Sequence, residues 1–155
     1  MVAANLNAPD QTVISGDPIA VERAGALCKA AGAKRVIPLQ VSGAFHSPLM
    51  APAVEGLREA LRVTPFAEPA FPVYANATAA PVTTVADAQR LLADQLTAPV
   101  RWVETIRALA ARWPEARWLE LGPGSVLSGL LRKIVPGATA TQLGTAAEVD
   151  SFLAQ

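Results

Sequence analysis

The chain has 155 residues, enough for one ordinary domain with a sizeable core. Thirteen basic and thirteen acidic side chains cancel to a formal net charge of +0, which excludes a general nucleic-acid surface while leaving room for a local basic patch facing an acidic protein. Apolar residues make up 52% and the mean hydropathy is +0.31, much of it from alanine, yet no uncharged apolar run reaches the roughly 18 residues of a membrane span.

The opening Met1-Val2-Ala3-Ala4-Asn5 has neither a basic region nor a signal-length apolar core, so a cytoplasmic soluble protein is expected. Thr12 to Ser15 is a short β-rich run ending at Gly16-Asp17-Pro18. Asp17 is a good N-cap, and Pro18 suits the first helical position, where its missing N–H would have no partner anyway. Ala20, Ala24, Leu27 and Ala31 follow at helical spacing until Gly32. Cys28 lies on that side of the predicted helix and reads as a buried structural thiol; as the single cysteine it cannot close an internal disulfide. Val36, Ile37, Leu39 and Val41 within Lys34 to Ser42 read as a strand.

Ser47-Pro48 is a second cap-plus-proline start, followed by the stripe Leu49, Ala53, Leu57 and Leu61. Pro52 in the second turn predicts an irregular beginning. The proline-dotted run Pro65 to Pro72 reads as a loop leading to a short strand at Val73 to Asn76. Thr84 to Asp87 has the form of a capping box before a helix ending near Gln95 and Leu96. Pro99 opens another helix, with Trp102, Ile106, Leu109 and Trp113 on one core-facing stripe. Arg117 to Leu121 reads as a buried strand, Gly122-Pro123-Gly124 as a turn, and Ser125 to Ile134 as a helix. A strand at Ala140 to Leu143 and a helix from about Ala146 complete the order. Alternating strands and helices imply an α/β architecture with a largely parallel sheet.

His46 is the single histidine, so any imidazole chemistry rests on it. It falls just beyond a predicted strand, where α/β proteins place ligand sites, and a neutral imidazole there can accept a proton and return it. Position alone leaves it open between that role and a satisfied loop histidine. Gly122-Pro123-Gly124 is either a tight turn or a backbone cradle for an anion, and the lysine pattern of a phosphate loop is absent. Asn5 and Asn7, close to Pro9, read as turn residues or substrate hydrogen-bonders. Gln95 is a helix cap or a partner for a catalytic group. No Gly-x-Ser-x-Gly elbow occurs in the sequence, and a histidine without a nucleophile cannot carry acyl transfer.

Taken together, several segments resemble the malonyl-CoA:acyl-carrier-protein transacylases of fatty-acid synthesis. They are Asn5 to Pro9 with Gln11 to Gly16, Ala20 to Ala24, Gly43-Ala44-Phe45-His46-Ser47-Pro48-Leu49-Met50, Gln95 to Trp102, and Glu120 to Gly124. Each is weak to moderate alone; in this order and spacing, across nearly the whole chain, they form a strong set. The resemblance implies the C-terminal part of an α/β-hydrolase-like acyltransferase domain. Residues 1–42 would be the later part of a ferredoxin-like insert, and residues 43–155 the returning part of the large subdomain.

By the same resemblance His46 is the catalytic base, and the backbone carbonyl of Gln95 orients it where other triads place an Asp. Phe45 would select malonyl by crowding an α-methyl group, and Asn7 is a weaker substrate-side hydrogen-bonder. The implied substrate is malonyl-CoA, with no metal and no resident cofactor. The implied partners are acyl carrier protein and the N-terminal half of the domain, with no nucleic acid and no membrane. The family's nucleophilic serine, carboxylate-binding arginine and oxyanion donors match nothing here, so the chain by itself is expected to be inactive and to expose apolar faces. Two other readings are a noncatalytic carrier-protein-binding remnant and a fragment of a polyketide synthase acyltransferase domain.

Overall fold

The structure, a computed structural model, describes residues 1–154. The chain opens with an antiparallel hairpin of β1 (Val2–Ala8) and β2 (Gln11–Ser15), turned by Pro9 and Asp10 and bulged twice along β1. β1 is a correction: Asn5 and Asn7 lie in a strand, not a turn. The reason is a partner far along the chain. Leu6 N–H donates to the Val100 carbonyl at 2.9 Å and Val100 N–H donates to the Ala4 carbonyl at 2.8 Å, so β1 is bonded along both edges. Gly16 ends β2 at φ +149°, and a Cβ there would lie 2.6 Å from the Met1 Cα, which only glycine avoids.

α1 (Pro18–Ala30) starts as its sequence signals: the Asp17 carboxylate accepts the Ala20 N–H and Pro18 is the first helical residue. Cys28 is exposed, not buried, because α1 buries only Ala24 and Gly25 and leaves Leu27 62% in solvent. Lys34 to Ser42 forms no strand. It runs with Val36, Ile37, Leu39 and Val41 exposed and no ladder partner among the described residues, and an alternating pattern without a partner strand has nothing to bond to.

A 3-10 turn, Pro48–Met50, feeds α2 (Ala51–Val63), the irregular start that Pro52 imposes. β3 (Val73–Ala75) pairs antiparallel with β4 (Ala80–Val82), which the sequence reading had missed. α3 (Val85–Asp94) is capped by Thr84, whose hydroxyl accepts the Asp87 N–H. α4 (Trp102–Arg112) begins three residues after Pro99, because Val100 is committed to β1. β5 (Trp118–Leu121) pairs parallel with β6 (Ala140–Leu143), with α5 (Val126–Ile134) crossing between them and α6 (Ala146–Leu153) following.

The described strands therefore form three two-stranded sheets, only one of them parallel, rather than one largely parallel sheet. The core gathers Ala8, Ile106, Leu130, Leu131 and Ile134, with Trp102 and Leu109 against it. Trp113 is 39% exposed and meets Tyr74 edge-on instead. β5 is not buried as its sequence suggests: Leu119 and Leu121 face solvent, an unusual state for a parallel pair, which normally has both faces covered. No helix among the described residues is long and apolar enough to cross a membrane.

Candidate active site

The site is built where the Gly43–Met50 loop meets the C-terminal end of α3. Asp94 is the last helical residue, and its carbonyl accepts the N–H groups of Thr97 and Ala98. The next donor along a helix would be residue 99, reaching back to the Gln95 carbonyl. Residue 99 is proline and has no N–H, so the Gln95 carbonyl is left without a helical partner. His46 takes it. Its Nδ1–H donates to the Gln95 carbonyl at 2.8 Å and, more weakly, to the Ala98 carbonyl at 3.2 Å.

Carbonyl oxygens only accept, so Nδ1 carries the proton and Nε2 keeps its lone pair. Among the described residues no group bonds to Nε2. The two carbonyls thus fix the ring's orientation as well as its tautomer. The residue is half-buried.

His46 has φ +58°, the left-handed region, at a cost of about 1–2 kcal/mol for a residue with a Cβ. Ser47, fully buried, spans the strained turn: its Oγ–H donates to the Ala44 carbonyl at 2.7 Å and its Oγ accepts the Leu49 N–H at 3.3 Å. Ser47 is thus the cap that its sequence suggested, and a brace as well. The loop that presents the carbonyls is pinned on two sides. Val100 is bonded into β1, and Arg101 N–H donates to the Asn76 carbonyl at 3.1 Å, while Asn76 Nδ2 approaches the Gln95 Oε1 at 3.5 Å. Ala98 and Asn76 carry no chemical signature of their own. The signals in the sequence were the Ser47-Pro48 cap and Pro99, which frees a carbonyl four residues earlier.

Phe45 is 45% exposed, its ring beside Gly43, where an added Cβ would sit 3.5 Å from ring carbons. Asn7 is half-buried on β1, and no hydrogen bond joins its side chain to His46. The Gly122-Pro123-Gly124 turn does not hold a free anion site. The first N–H groups of α5, from Leu127 and Ser128, donate to the buried Glu120 carboxylate at 2.9 and 2.8 Å, and the Ser128 hydroxyl donates to it as well. Those donors, the Ser128 hydroxyl foremost, hold the Glu120 carboxyl below its ordinary value against the opposing effect of burial. The anion that this helix start attracts is the chain's own. Among the described residues no three His, Cys, Asp or Glu side chains gather closely enough to hold a metal ion.

This fold, with an imidazole oriented by backbone carbonyls, is that of the C-terminal part of an α/β acyltransferase domain. No family model matches the chain. The malonyl CoA-acyl carrier protein transacylase of Bacillus subtilis is 48% identical over 131 residues, 84% of this chain and 41% of the relative. An acyl carrier protein S-malonyltransferase from Vibrio cholerae superposes with a TM-score of 0.91 at 39% identity, over 97% of this chain and 49% of that one. A malonyl-transacylase solved in complex with a type II polyketide synthase acyl-carrier protein gives 0.90 at 40% identity, over 99% and 50%. The chain belongs to the malonyl-CoA:acyl-carrier-protein transacylase family and spans about half the length of the relatives it matches.

Proposed function

We propose that this chain supplies the proton-shuttling half of a malonyl-transfer site, with His46 as general base and acid. The supporting observation is the ring's orientation: Nδ1–H is committed to the Gln95 and Ala98 carbonyls, and Nε2 is free. By the family's pattern the nucleophile is a serine on a complementary segment, since this sequence has no Gly-x-Ser-x-Gly elbow and matches about half the length of its relatives. Residues 1–42 are taken as the later part of the ferredoxin-like insert and residues 43–155 as the returning large subdomain.

Nε2 takes the serine proton as the oxygen attacks the malonyl thioester carbonyl. The tetrahedral intermediate collapses to a malonyl-serine ester, and the coenzyme A thiolate leaves with the proton from Nε2. The phosphopantetheine thiol of acyl carrier protein then gives its proton to Nε2 and attacks the ester. The serine oxygen departs and recovers that proton. Phe45 narrows the acyl side of the site against an α-methyl group, and Asn7 lies on the substrate side. The pathway is fatty-acid synthesis by the resemblance of the sequence motifs, with polyketide synthesis the second reading, since one structural neighbour is solved with a type II polyketide synthase acyl-carrier protein.

Reconstitution tests this. The chain is mixed with a separately made N-terminal half carrying a Gly-His-Ser-x-Gly elbow, and malonyl transfer from coenzyme A to holo acyl carrier protein is measured. Transfer should appear only with both parts and fall by about 10²- to 10⁴-fold with His46→Ala. A properly associated pair that transfers nothing would sink the enzymatic reading and leave the carrier-binding one.

A further inference from the structure

We propose that Ser47 is a positioning residue for His46, its hydroxyl selecting the Nδ1–H tautomer by locking the turn in which the histidine sits. His46 is one of two non-glycine residues at positive φ among the described residues, and such a conformation persists only where its surroundings over-determine it. Ser47 is the surrounding group that does so. Its Oγ closes the turn from both sides, donating back to Ala44 and accepting from Leu49, while its own carbonyl accepts the Met50 N–H at 3.0 Å. Residues 44 to 49 are thereby tied through the side chain of one residue that is 0% exposed.

That burial and the committed proton also bar Ser47 from acting as the missing nucleophile, although it stands next to the base. Without the bridge, the turn around residue 46 keeps only the backbone bond from the Met50 N–H to the Ser47 carbonyl and loses both of its side-chain ties. The ring then swings off the two carbonyls and either nitrogen can carry the proton. The tautomer claim stands on geometry alone. Its catalytic consequence rests on the reading of His46 as the base.

With a single histidine in the chain, nitrogen-detected NMR of the imidazole reports one residue without assignment. The informative pair is Ser47→Thr and Ser47→Val, nearly equal in shape and differing in the hydroxyl. The unmodified chain should show its neutral imidazole protonated at Nδ1. The threonine variant should keep that state, and the valine variant should lose about two- to tenfold in the tautomer ratio, the worth of a net hydrogen bond. Equal ratios in the two variants overturn the proposal, because packing rather than the hydroxyl would then hold the ring. So does loss of amide signals across the whole chain in the valine variant, which would make Ser47 a general stability element. If the unmodified chain itself is protonated at Nε2, the reading of His46 fails first, and the two failures are told apart.

Discussion

Replacing Gln95 by alanine should be nearly silent in catalysis, although Gln95 provides the main contact to His46, the proposed base. The acceptor is its backbone carbonyl, 2.8 Å from the His46 Nδ1, and alanine keeps it. What alanine removes is an amide whose contact, with Asn76 Nδ2, is at the 3.5 Å limit of hydrogen bonding. A contact that long is worth less than about 1 kcal/mol, so the barrier rises by no more than about fivefold in rate. His46→Ala removes the base itself and should cost about 10²- to 10⁴-fold. Pro99→Ala is the sharper perturbation. It restores an N–H that competes for the Gln95 carbonyl and should slow transfer by about two- to tenfold, more than Gln95→Ala does. The assay is the single-turnover rate of serine acylation by malonyl-CoA in the reconstituted pair, with circular dichroism as the fold control. A folded Gln95→Ala variant as slow as His46→Ala would refute the carbonyl mechanism and pass the orienting role to the side chain.

Acid stability should carry a signature of Glu120. Its folded pKa is depressed below the ordinary 4.5, so its contribution is present above the unfolded value and lost as pH falls through the folded one. Glu120→Gln should therefore lower thermal stability near pH 7 and flatten the fall below about pH 4.5; an unchanged acid limb in a melting series would contradict this. Leu131→Ala, at a core position 3% exposed, should cost about 2–5 kcal/mol, or roughly 6–12 °C for a loss near 3 kcal/mol. Leu121→Ala, 73% exposed, should stay within about 0.5 kcal/mol, and equal melting shifts for the two would undo this description of the core. Cys28 should react with a thiol reagent in the folded chain without denaturant, and protection until unfolding would show the helix face to be covered. In the reconstituted enzyme Phe45→Ala should relax discrimination against methylmalonyl by about tenfold or more, measured as the ratio of kcat/KM values.

The helices were legible because their signals are local. Asp17, Ser47 and Thr84 each accept an N–H within a turn of themselves, Pro18 and Pro48 fit first helical positions, and the apolar spacing of α4 and α5 repeats inside the element. The strands were less so. β1 was missed, since its asparagines look like turn residues and its bonds go to Val100, while Lys34 to Ser42 has the alternation of a strand and no partner. The ordered motifs singled out His46 and Gln95, and composition excluded a nucleic-acid surface. What only the tertiary structure decided is which ring nitrogen is free. That depends on carbonyls 49 and 52 residues away, on Pro99 withholding a donor and on a buried hydroxyl bracing a left-handed turn. Helical hydrogen bonds close within four residues and can be read along a chain, whereas ladder bonds and a histidine tautomer need partners that only folding brings near.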